Sequence, residues 1–172
     1  ISKYTLRGEK LWDYPLTGFQ SSSGRVVIAG NDIYLQSMEP SFFASAAIEI
    51  TKISSDGVLI WQQNYIGENL SSFNPELTYY REIHDMDVDN EGSLYALIFR
   101  GFTKSLPYPQ NNETKVEVVK FDNTTGNASQ QMIKEISSGE YVRTIRAISG
   151  GRFYLSSKSE TGMLLEQYQP TQ

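Results

Sequence analysis

The sequence predicts an all-β chain of repeated four-stranded antiparallel units, and three observations carry that reading. The first is the stretch Ile48 to Trp61, IEITKISSDGVLIW, in which Ile48, Ile50 and Lys52 alternate with Glu49, Thr51 and Ile53 before Asp56-Gly57. A period of two is what a pleated strand imposes, and Asp-Gly between apolar runs supplies the positive backbone angles of a tight hairpin. The second is repetition. Lys3, Gly8 and Trp12 recur as Lys52, Gly57 and Trp61 at one constant offset of 49. The third is a different hairpin that appears three times, at Val26 to Leu35, Met86 to Leu97 and Ile145 to Leu155, each an apolar strand, a Gly-containing turn, and a strand ending in Tyr34, Tyr95 or Tyr154.

Taken in order, Lys3 to Tyr14 supplies the second half of one unit, and two complete units follow. Tyr141 to Gln169 then supplies the first three strands of another. This gives a single array over 1–172, with partial units at 1–18 and 137–172, complete units at 19–67 and 68–136, and a loop insertion at 101–115 that carries Pro107 and Pro109. Proline removes ladder donors and fits a surface loop. The third Lys-Gly copy, Lys120 to Gly126, has one extra turn residue and no tryptophan, and Met132 and Ile133 supply its second strand. In-line antiparallel units of this length are the mark of a β-propeller, here about three four-stranded blades. A β-sandwich or jelly roll is the alternative, but it does not predict the recurring Gly-x-x-x-Trp.

At Gly8 to Trp12 and Gly57 to Trp61 the chain resembles the tryptophan-docking blades of the PQQ-like propellers. That resemblance implies that each indole is buried between neighbouring sheets with its N–H on a backbone carbonyl, so Gly8, Trp12, Gly57, Trp61 and Gly126 are read as the structural blade motif. Quinoprotein dehydrogenases on the resembling fold need a quinone-stacking tryptophan and a calcium site on a complete ring. About three units cannot close one, since propellers use four to eight blades.

Composition narrows the function classes. The chain has 172 residues, 39% of them hydrophobic, and 15 Lys plus Arg against 20 Asp plus Glu, so its net charge of -5 disfavours nucleic acid. No apolar run reaches the length of a membrane span. Cysteine is absent, which excludes disulfides and thiolate sites. The sequence starts at Ile1 rather than Met, so a processed form or a piece of a longer polypeptide is expected. Sequons at Asn69, Asn112, Asn123 and Asn127 fall in expected loops and point to an exported, extracellular or cell-surface glycoprotein.

Candidate chemistry is sparse. Asp85, Asp87 and Asp89 have the spacing of the first ligands of a calcium loop, yet Asn90 stands where that loop needs Gly and Ala96 where it needs Glu. Calcium is the one cofactor the pattern admits; none is required by it. His84 is the sole histidine, and there is no Gly-x-Ser-x-Gly elbow or phosphate-cradling loop. The expectation is a non-catalytic scaffold or binding module of an exported protein, a building block of a larger assembly or filament. Its partners would be protein, either further blades of the same polypeptide or copies of itself. The other reading is a fragment of a larger quinoprotein-like propeller enzyme with its catalytic residues elsewhere.

Overall fold

The computed structural model describes residues 1–15, 24–38, 48–65, 77–104, 113–136, 141–159 and 161–169. Among them there are thirteen strands and no helix. The first sheet pairs β1 (Ser2–Tyr4) with β2 (Lys10–Asp13). The second runs β3 (Val26–Ala29), β4 (Asp32–Met38), β5 (Ile48–Ser54) and β6 (Leu59–Tyr65). The third runs β7 (Leu77–Val88), β8 (Leu94–Lys104), β9 (Glu113–Phe121) and β10 (Ala128–Ile136). The fourth holds β11 (Tyr141–Ala147), β12 (Phe153–Ser159) and β13 (Gly162–Tyr168).

Every pairing is antiparallel and joins strands that follow each other in sequence. The strands therefore form four small sheets that do not close into a barrel.

Three apolar clusters lie between the sheets and fix their order. Ile33, Leu35 and Ile53 of the second sheet pack with Trp12 and Tyr14 of the first. Tyr34, Ile48, Ile50 and Trp61 meet Ile83, Met86, Leu94, Ile98, Val119 and Phe121 of the third. Tyr95, Leu97, Val116 and Val118 then meet Val142, Ile145, Phe153 and Leu155 of the fourth. Because the second and third sheets have a neighbour on each face, alternate residues of one strand feed different clusters. This explains why β5 is buried along nearly its whole length rather than on one side.

Two features depart from simple alternation or from the expected boundaries. A register shift between Ile83 and Asp85 brings Ile83, Met86 and Val88 onto one face of β7, and it turns Asp85 and Asp87 toward the fourth sheet. Of the loop expected at 101–115, residues 101–104 belong to β8 and residues 113–115 to β9. Strand β8 continues to Lys104 and β9 begins at Glu113, with Gly101 paired to Thr114 and Phe102 to Glu113. Asn69, Asn112, Pro107 and Pro109 lie outside the described residues.

Candidate functional site

The repeated motif builds a repeated joint. In the first sheet the Lys3 ammonium and the Trp12 indole N–H both donate to the carbonyl oxygen of Ser55, at 2.7 and 3.0 Å. In the second sheet Lys52 and Trp61 do the same to the carbonyl of Asn123, each at 3.0 Å. Each accepting residue sits in the hairpin turn of the next sheet. The pairs Lys3 with Trp12 and Lys52 with Trp61 are cross-strand neighbours, so the hairpin itself aims both donors at one acceptor.

The glycines complete the joint. Gly57 and Gly126 have φ of +80° and +72°, and a Cβ on either would lie 2.7 Å from the ring of Trp12 or Trp61 respectively. Glycine is therefore needed twice over at these positions, for the left-handed turn and for the close approach of an indole.

The joint between the second and third sheets is the more elaborate. Trp61 is 6% exposed, stacks on Phe121 at 6.5 Å between ring centroids, and tilts against Tyr34 at 6.0 Å. The Tyr34 hydroxyl donates to the Gly92 carbonyl at 2.6 Å. Burial, ahead of the nearby Asp32 and Asp89 carboxylates, holds that phenol well above the usual range, so it remains a donor. Lys52 is buried as well, and it is compensated by Asp32 at 2.8 Å, by the Asn123 amide oxygen and by the Tyr34 ring.

The acidic residues do other work. Asp85 accepts the Ile145 N–H at 3.0 Å and Asp87 accepts the Ala147 N–H at 2.9 Å, so both carboxylates close the uncovered edge of β11. Arg25 and Arg146 flank Asp85 at 4.0 and 3.5 Å. Asp89 is separate from them. It accepts the Glu91 and Ser93 N–H groups and shapes its own turn. Asp85 and Asp87 share a face as expected, while Asp89 does not join them. Among the described residues, no three His, Cys, Asp or Glu side chains form a group able to hold a metal ion.

His84 lies against the Phe99 and Tyr141 rings, with its Nε2 3.2 Å from the Tyr141 hydroxyl. Burial, followed by the Arg25 charge, lowers its pKa. The two described sequons differ in setting. Asn127 is exposed, whereas the Asn123 amide nitrogen donates to the Glu91 carbonyl at 2.8 Å and its side chain contacts Lys52. A glycan on Asn123 would displace these bonds; Asn127 carries no such obstacle.

Sequence reasoning missed Glu117, fully buried on β9, which accepts from Tyr65 and from Gln130 at 2.8 Å and lies 3.9 Å from Arg100. Its signal was a lone acid within the apolar run Val116 to Val119. Gln130 occupies the place, four residues after Gly126, where the other copies carry tryptophan. Neither family models, nor curated proteins, nor solved structures give a match to this chain.

Proposed function

We propose that the chain is a propeller-type scaffold or binding module, non-catalytic, exported, and a building block whose partners are proteins. The observation that carries this reading is the repeated joint, in which one sheet's Lys and Trp converge on a single carbonyl in the next sheet's turn. A joint of this kind extends an array by adding sheets in sequence order. The side chains best suited to chemistry are engaged structurally: Asp85 and Asp87 hold β11, Asp89 holds its turn, and His84 packs between rings. Export rests on the sequons, and Asn127 is the exposed acceptor among the described ones.

The test separates this reading from a quinoprotein fragment. Pyrroloquinoline quinone and calcium are titrated into the full chain while absorbance and melting temperature are followed. The scaffold reading expects neither a saturable absorbance change nor a calcium-dependent rise in melting temperature that Asp85→Asn and Asp87→Asn abolish. Saturable binding of either would replace it with the enzyme reading.

A further inference from the structure

Lys52 is buried at the joint of the second and third sheets with two reactive groups against its ammonium. One is the Asp32 carboxylate, 2.8 Å away, and the other is the side-chain amide of Asn123, whose oxygen it contacts directly. That amide is held in one orientation. Its oxygen faces two donors, Lys52 and, at 3.4 Å, the Tyr34 hydroxyl, while its nitrogen donates to the Glu91 carbonyl at 2.8 Å. Turned over, it would set N–H groups against an ammonium and oxygen against oxygen. Gly92 closes the site from behind, since a Cβ there would clash with the Asn123 side chain.

The residues that meet here come from β4, β5 and the turn after β9. Lys52 and Tyr34 are cross-strand partners and Asp32 lies two residues before Tyr34, so the pleat brings all three to one face. The rings of Tyr34, Trp61 and Phe121 form the apolar wall beside them. Asn123 is half-buried, next to the exposed Glu91, so a small product has a way out to solvent. The first joint lacks this set. Ser55 stands there in the place of Asn123, and it offers Lys3 a carbonyl but no carboxamide.

We propose that Lys52 and Asn123 join in an intramolecular isopeptide bond that ties the second sheet to the third, with Asp32 as the base and Tyr34 as the oxyanion donor. The Lys52 ammonium gives a proton to Asp32, and the freed Nζ lone pair forms a bond to Asn123 Cγ. The carbonyl electrons move onto Oδ1, where the Tyr34 hydroxyl stabilises them. Burial keeps that phenol protonated and able to donate. As the carbonyl re-forms, Nζ gives up a second proton, the Cγ–Nδ2 bond breaks, and Nδ2 leaves as ammonia with the proton that Asp32 returns to it. Ammonia departs as ammonium and Asp32 is again a carboxylate. Overall, one lysine ammonium and one carboxamide become a secondary amide and an ammonium ion, with no change in oxidation state. Amine, acyl group and base are held in contact only once the two sheets dock, which supplies the effective concentration that such an exchange needs. The bond would also consume the Asn123 sequon. It is independent of the scaffold reading, since every participant belongs to this chain.

The test is the intact mass of the full chain, made in a host that attaches no glycans, allowed to fold, and denatured before measurement. The wild type should be lighter than its sequence by one ammonia, about 17 Da, and proteolysis should release a branched peptide joining Lys52 to Asn123. Lys52→Arg and Asp32→Asn should keep the full mass, and Tyr34→Phe should form the link about a hundredfold more slowly, the scale of losing one oxyanion donor. If a variant does not fold, the wild-type mass and its peptide map decide the matter alone. Full sequence mass in the folded wild type overturns the proposal. So does an ammonia loss that persists in Lys52→Arg, which marks a cyclised asparagine instead of a cross-link.

Discussion

The second and third sheets are joined through a tryptophan on the last strand, the third and fourth through carboxylates on the first. At the former joint Trp61 lies against Gly126 and donates to Asn123. At the latter, Gln130 stands in the tryptophan's place and turns to Glu117, while Asp85 and Asp87 hold the backbone of β11. Both joints enclose a buried apolar cluster. The difference shows that sheet-on-sheet burial is the constant element, with the polar fastening exchangeable around it. An indole combines area and one hydrogen bond in a single residue, whereas the carboxylates contribute hydrogen bonds and leave the area to Tyr95, Phe153 and their neighbours.

Five substitutions sharpen that contrast, ordered by expected effect on stability as measured by urea unfolding. Trp61→Ala should cost about 3–5 kcal/mol, as truncating a large buried aromatic does. A cost under about 1 kcal/mol would show that the tryptophan joint is not a structural one. Gly126→Ala should cost about 2–4 kcal/mol, from the left-handed turn and the clash with Trp61 together. Gly8→Ala is its control. Gly8 has φ of +84° but open space where a Cβ would be, so it should lose only the conformational part, about 1–2 kcal/mol.

Asp87→Asn tests the carboxylate joint. It keeps an acceptor oxygen for the Ala147 N–H but removes the charge, and a loss of about 1 kcal/mol is expected. The smallest effect is pH-linked. Burial and Arg25 depress the pKa of His84 in the folded protein, so as pH falls the unfolded chain takes up this proton first. Stability should decline as pH falls through about 6.5, the unfolded value, with the loss complete below the folded one. His84→Gln should remove that part of the slope; an identical slope in the variant would show that His84 is not its source.

Much of the fold could be read from the residues, and for a physical reason. Alternation in Ile48 to Ile53, the Asp-Gly turn and the constant Lys-Gly-Trp spacing are local consequences of strand geometry and of one hairpin's cross-strand pairing. Two strands in the first sheet, four in the second and third, and three in the fourth follow from them. What could not be read depends on neighbours remote in sequence. The register shift at Ile83 that redirects Asp85 and Asp87 has no composition signal, and their acceptor role requires β11, about 60 residues away. The sequon at Asn123 is a local feature, while its bonds to Lys52 and Glu91 are not. The prolines are a local signal too, whereas the pairing that carries residues 101–104 into β8 and 113–115 into β9 is set by the ladder between the two strands.

The central claim is that the first sheet docks on the second, and the second on the third, through an indole placed on the next sheet's turn glycine. Nuclear Overhauser contacts of the two tryptophan rings in the isotope-labelled full chain test it most directly, because there are only two indoles and each has one assigned glycine. The account predicts contacts from Trp12 to the Gly57 α-protons and from Trp61 to those of Gly126. Rings whose contacts stay within their own hairpins, with neither glycine reached, would contradict it.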